Sequence, residues 1–140
     1  LIQDYIDIQK FRFGERLKVE YRIEAALYSC NLPRLLLQPL VENAILHGVE
    51  NCSRPVLIEI TGRAVEGSLE IEISDNGVGI SGEKEIAACR GIGIDNVKRR
   101  IELLYGEGGS FAIHNRQSGG VLVWIRIPKE EFQGGGASNV

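Results

Sequence analysis

At 140 residues, 44% of them hydrophobic, the chain is sized for one domain and has enough apolar side chains to bury a core. A net charge of −3 argues against a basic nucleic-acid surface, and no apolar run approaches the length of a bilayer span or a secretory leader. Cys30, Cys52 and Cys89 are scattered without a CxxC spacing, which reads as reduced thiols rather than a disulfide framework or a zinc site.

Residues 2–13, "IQDYIDIQKFRF", place Ile2, Ile6 and Ile8 among polar residues ahead of Gly14, as the end of a helix would. That helix either packs on the domain or connects it to an upstream region. The start at Leu1 and the absence of any Met suggest a fragment of a longer protein. "LKVEYRIE" (17–24) alternates Leu17, Val19, Tyr21 and Ile23 as a strand. "NLPRLLLQPLVENAILHG" (31–48) is helical in composition, with Pro33 suited to a first turn and Gly48 to a stop; Pro39 either restarts or kinks the helix. "VLIEITGRAVEGSLEIEIS" (56–74) is a hairpin about Glu66-Gly67. Ile94, Val97, Ile101 and Leu104 recur at helical spacing, and Gly106 caps that helix. "SFAIHNRQSGGVLVWIRIP" (110–128) is a second hairpin about Ser118-Gly119-Gly120, and the Gly-rich end reads as a disordered tail. The order predicts an α+β, two-layer sandwich: a mixed, mostly antiparallel sheet of about five strands with helices on one face.

Three groups carry chemistry. Asp75 stands where the alternating strand Leu69-Ile71-Ile73 ends, and Gly77 and Gly79 follow. A carboxylate there can accept from, for example, an adenine amino group, and glycines let a flat ligand approach; the same residues also make an ordinary Asp-Asn-Gly turn. Gly91-Ile92-Gly93 precedes the helix expected to start near Ile94, where unpaired N–H groups and the helix dipole favour anions; a lone GxG is common in loops. Asn43 and His47, four apart, share a helix face; an Asn oxygen suits Mg²⁺ and a His can donate to phosphate, although a solvated polar stripe looks the same. Together they describe one nucleotide site, with residues 80–90 as a flap over it; the alternative for that stretch is a short fixed helix through Glu83–Ala88.

"PLVENAILHG", "DNGVGI" and "GIGIDNVKRRIELLYG" resemble the asparagine box and the two glycine boxes of the GHKL superfamily of ATPases, which share the Bergerat fold. The flavour is similar to the LytS-like sensor histidine kinases, and "YIDIQKFRFGERL" (5–17) resembles the helix joining their phosphoacceptor region to the ATPase domain. The resemblance divides the chain into a linker-helix end (1–16), an ATP-binding catalytic domain (17–130) and a tail (131–140). It implies ATP and Mg²⁺ as cofactors. It gives Asn43 to the metal, His47 to the phosphates, Glu42 to metal-bound water, and Asp75, Gly77, Gly79 and Ile80 to the adenine. Gly91, Ile92, Gly93 and Ile94 fall on the phosphate-side loop. It also implies transfer of the γ-phosphate to a His on a separate domain of the same or a partner subunit, then to a response regulator. The whole protein would be a homodimeric, membrane-bound bacterial sensor with this domain in the cytoplasm, touching neither nucleic acid nor membrane.

Some residues depart from the pattern. Pro39 stands where the gyrase and chaperone branches have a general-base Glu, which favours transfer to a side chain over water activation. Leu46 replaces a usual Lys and Val121 a usual Thr. His114 reads as structural, so neither histidine is the phosphoacceptor. An anti-sigma-type serine kinase of the same fold and a non-catalytic nucleotide-binding module are the alternatives.

Overall fold

The computed structural model describes residues 2–29, 34–49, 52–77 and 83–129. Helix α1 (Ile2–Phe13) ends at Gly14, whose φ of +58° reverses the chain without a Cβ penalty. A 3₁₀ turn, Gly14–Arg16, feeds strand β1 (Leu17–Ile23). Helix α2 (Arg34–Ala44) continues as a π turn, Ile45–Val49. Strands β2 (Val56–Val65) and β3 (Ser68–Asp75), helix α3 (Glu83–Tyr105), and strands β4 (Ser110–Asn115) and β5 (Val121–Pro128) complete the order.

The five strands form one sheet ordered β1-β2-β3-β5-β4, in which only β1 and β2 run parallel. Parallel neighbours need a crossover, and α2 lies within it. Glu66 (φ +38°) and Gly67 (φ +78°) make the two-residue turn with both φ positive that matches strand twist, so the expected hairpin forms. The second expected hairpin pairs β4 with β5.

Alternation then decides the layers. Leu17, Val56, Ile58, Ile60, Leu69, Ile71, Ile73, Val123, Ile125 and Ile127 are all buried and fall on one face by register. Against them pack Leu36, Leu40 and Val41 of α2, Ile94, Val97 and Ile101 of α3, and Ile6 of α1, in a single core. Each such side chain contributes roughly 1.5–3 kcal/mol by leaving water. The other face carries Lys18, Glu20, Glu59 and Glu72. There Glu70 is held by Arg63 at 2.6 and 2.9 Å. The predicted sandwich, mixed sheet and helices on one face are all present.

Pro39 does not restart the helix; it lies inside α2. As the sixth residue of α2 it lies beyond the first turn, so its missing N–H costs the helix one i→i−4 hydrogen bond.

One expectation is overturned. The helix predicted from about Ile94 begins at Glu83, so residues 83–90 form helix rather than an irregular flap, and Gly91, Ile92 and Gly93 lie inside α3. Glu83-Lys84-Glu85 and Ala87-Ala88 are strong helix formers. Their propensity, with continuity into the Ile94–Ile101 face, outweighs two glycines at about 1 kcal/mol each. In this conformation the N–H groups of Gly91 and Gly93 belong to the helix ladder and are not free anion donors. Residues 81–82 and the tail 131–140 lie outside the described residues.

Candidate functional site

The site begins at the open end of the β2–β3 hairpin. Asp75 ends β3 opposite Ile58, and its side chain is 4% exposed. Asn76 pins the strand end to β2: its N–H donates to the Leu57 carbonyl at 3.3 Å and its Oδ1 accepts the Leu57 N–H at 2.8 Å. The chain then turns at Gly77, whose N–H donates to Asp75 Oδ1 at 2.9 Å. The expected acid-headed glycine turn is therefore built as an Asx turn that orients the carboxylate. Gly79 and Ile80, the rest of that motif, lie outside the described residues.

The end of α2 closes on this turn. A Cβ on Gly48 would lie 3.1 Å from Asp75 Cγ, and one on Gly77 would lie 2.7 Å from the Gly48 carbonyl oxygen. The two glycines let the two backbones touch. His47 is thereby close enough to act electrostatically on Asp75. Asn43 on α2 and His47 on the π turn are half-buried, whereas Glu42 and Leu46, next to them in the chain, are exposed. Glu42 accepts a hydrogen bond from Gln38 Nε2 at 3.1 Å. Leu46, at the position of the usual Lys, is 48% exposed.

Burial raises the Asp75 carboxyl above its ordinary 3.8. The N–H groups of Gly77 and Val121, and then the charges of Arg116 and His47, pull the other way. Val121 thus reaches the acid through its backbone, whatever its side chain. A carboxylate with two backbone donors and little water is an acceptor prepared for a third donor.

Sequence reasoning missed the arginines that hold this backbone. Arg116 Nη1 donates to the Asp75 carbonyl at 3.0 Å. Arg54 Nη2 donates to the carbonyls of Asn76 and Gly77. Arg16 Nη2 donates to Val49 and Cys52 at 3.1 and 2.9 Å. Gly120 was legible as a hairpin glycine but not as a wall of the site: a Cβ there would fall 1.9 Å from the Asp75 carbonyl oxygen. No periodicity marks residues that act on distant carbonyls.

The residues fit a nucleotide and its metal. At Gly48, Gly77 and Gly120 an added Cβ would meet Asp75 or the Gly48 backbone, so these three glycines let the chain close directly around the buried acid. No cluster of three or more His, Cys, Asp or Glu occurs among the described residues. Mg²⁺ held through one or two protein oxygens plus phosphates needs no such cluster, and Asn43 and Glu42 supply hard oxygens.

Comparison with known proteins bears on the family and the fold. Residues 31–131 match the family described as histidine kinase-, DNA gyrase B- and HSP90-like ATPases. The chain is 40% identical over 129 residues to the sensor histidine kinase YesM of Bacillus subtilis, covering 91% of this chain and 22% of that protein. It is 30% identical over 139 residues to the sensor protein LytS of Enterococcus faecalis, covering 93% and 24%. The chain thus spans about a quarter or less of these two relatives. The catalytic domain of the histidine kinase ThkA superposes with a TM-score of 0.69 at 22% identity, covering 91% of both chains. The histidine kinase domain of an Erythrobacter litoralis blue-light-activated kinase gives 0.66 at 18%, covering 91% of this chain and 59% of that one. With residues 31–131 matching the family and the fold in agreement, the chain belongs to the histidine kinase-, DNA gyrase B- and HSP90-like ATPases.

Proposed function

We propose that this domain binds Mg-ATP and is the phosphate-donating part of a sensor histidine kinase. The observation that carries the reading is the buried Asp75 carboxylate, held by Gly77 and Val121 and walled by glycines 48, 77 and 120. Asp75 accepts from the adenine amino group, and Gly77, Gly79 and Ile80 shape the base end. His47 approaches the phosphates, Asn43 holds the metal, and Glu42 orders metal-bound water. Mg²⁺ held by Asn43 would neutralise phosphate charge. Gly91, Ile92, Gly93 and Ile94 serve the phosphate side, which requires α3 to open ahead of Ile94. Pro39 supplies no general base on α2, so the γ-phosphate passes to a positioned side chain rather than to water. The sensor-kinase names of the relatives support a histidine acceptor on a separate domain of the same or a partner subunit, a response regulator beyond it, and a homodimeric whole. Among the described residues no helix is long and apolar enough to cross a membrane. The cytoplasmic side of a membrane-bound sensor is the setting we propose.

Calorimetric titration of the chain tests this. ATP presents a donor to Asp75 where GTP presents a carbonyl, so GTP should bind at least about a hundredfold more weakly, two acceptors being left facing each other. Asn43→Ala should lose most of the Mg²⁺-dependent gain in affinity and keep the metal-free affinity. Equal binding of the two nucleotides, or a full Mg²⁺ effect in Asn43→Ala, would remove these assignments.

A further inference from the structure

Arg16 belongs to neither the core nor the nucleotide motifs. It closes the 3₁₀ turn between α1 and β1, on the segment that leads into the domain. Its own end is held in place: Ile6 of α1 is fully buried, and the Arg16 guanidinium carbon lies 5.8 Å from the Phe13 ring centroid. Tyr21 of β1 hydrogen-bonds Gln3 of α1, whose Nε2 donates to Asp7 at 2.8 Å. From this anchored position Arg16 reaches 33 and 36 residues along the chain, to the carbonyls of Val49 and Cys52. Those two residues are themselves joined by the Cys52 N–H, which donates to the Val49 carbonyl at 3.2 Å. A single nitrogen, Nη2, therefore ties off the end of the π turn.

The next residue back is Gly48, which has no slack. Its Cα hydrogen faces the Asp75 carboxylate, and its carbonyl oxygen abuts Gly77. Two residues beyond Cys52, Arg54 grips the carbonyls of Asn76 and Gly77. Both routes out of the clamped turn thus end on the residues that aim the acid.

We propose that Arg16 is a positioning residue for the nucleotide site, fixing Gly48 and the Asp75–Gly77 turn through the Val49 and Cys52 carbonyls and so joining the docking of α1 to the shape of the base end. This rests on the nucleotide reading of the site. It gives the entering helix a physical handle on nucleotide affinity, since a movement of α1 that withdraws Arg16 releases the turn against which the acid is set.

Two measurements on the whole chain test it. In the nucleotide-free state, Arg16→Ala should move the backbone amide resonances of Gly48 and Gly77 and leave that of Gly67, at the far end of the hairpin, in place. In titration with a non-hydrolysable ATP analogue and Mg²⁺, Arg16→Ala should bind roughly tenfold more weakly. Arg16→Lys, which can bring one nitrogen to the same two carbonyls, should stay within about threefold of the native chain. Arg22→Ala, which loses only a surface contact to Glu20 at 3.5 Å, should bind as the native chain does. Should Arg16→Ala unfold, Arg16→Gln, whose amide stops short of both carbonyls, is judged by the same readouts. Unmoved Gly48 and Gly77 amides, native affinity in the Ala variant, or equal losses in the Ala and Lys variants would each overturn the proposal. A native chain that binds no nucleotide would instead overturn the reading of the site, and with it this role for Arg16.

Discussion

Asp75→Asn yields a folded domain that no longer holds ATP; this is the largest functional effect expected from one substitution. The carboxylate accepts from Gly77 and Val121, and in the proposed complex from the adenine amino group. Asn keeps one acceptor oxygen, enough for the Gly77 N–H, but turns an NH₂ toward a ligand that also donates. A charge-assisted hydrogen bond is worth about 1.5–3 kcal/mol, and opposed donors add a desolvation penalty, so the loss should exceed roughly a hundredfold.

Stability should behave differently, and the sign follows from burial. The folded-state pKa of Asp75 is raised, so the contribution of this group to stability is fully present below its unfolded value of 3.8 and is lost as pH rises through the folded value. At neutral pH the native chain therefore carries a buried charge at a cost, which the Asn variant avoids while giving up one backbone bond. The two melting temperatures should lie within about 5 °C at pH 7. The native chain should gain on the variant as the pH is lowered toward 4. Unchanged ATP affinity in calorimetry, or a native chain that loses ground to the variant on acidification, would contradict this account of Asp75.

Gly120→Ala is expected to damage fold and site together. Gly120 adopts φ +85°, and an added methyl would meet the Asp75 carbonyl oxygen at 1.9 Å, its carbon at 2.6 Å and Asn76 Cα at 2.8 Å. All three are backbone atoms and cannot swing aside. The same carbonyl oxygen accepts from Arg116, so the methyl expels the β4–β5 turn from the strand end it supports. Left-handed strain of about 1–2 kcal/mol and overpacking of about 1–3 kcal/mol add to a loss of roughly 2–5 kcal/mol. Gly119→Ala is the control. Its φ is +102°, yet the nearest atom to its Cβ is 3.9 Å away, so it meets only strain. Thermal denaturation should show Gly120→Ala melting well below Gly119→Ala, with nucleotide binding lost in the former. Equal melting temperatures would mean that the turn does not press on Asp75.

Much of this was legible in the sequence, because a half-buried strand writes its register in every second residue. Leu69, Ile71 and Ile73 fixed which way β3 faces, and hence where Asp75 stands. Glu66-Gly67 marked the turn because few residue pairs accept two positive φ angles. The start of α3 was not legible. The glycine pair and the change of period both pointed to Ile94, but the helix propensity of residues 83–88 carries the helix across the glycines. Nor were Arg16, Arg54 and Arg116 visible as site residues. A long side chain that donates to a carbonyl recognises backbone, and backbone has no sequence. The contact of Gly48 with Asp75 was hidden for the same reason, since Gly48 reads equally well as a helix stop.

Only Glu66 and Gly67 separate β2 from β3, so that pair can zip with a very short loop. Pairing Leu17 with Val56, or Leu69 with Ile127, must close far longer stretches of chain. The hairpin is thus the natural early element in assembly, and it occupies the middle of the finished sheet. Its amides between Ile58 and Ile73 should exchange with deuterium most slowly in the domain; slowest exchange in the edge strands β1 or β4 would refute this. Asp75 stands at the mouth of that hairpin. The acid's backbone is therefore mounted on the pair that opens last, while two of the groups that aim it, Arg16 ahead of β1 and Arg116 after β4, sit at the sheet edges that open first.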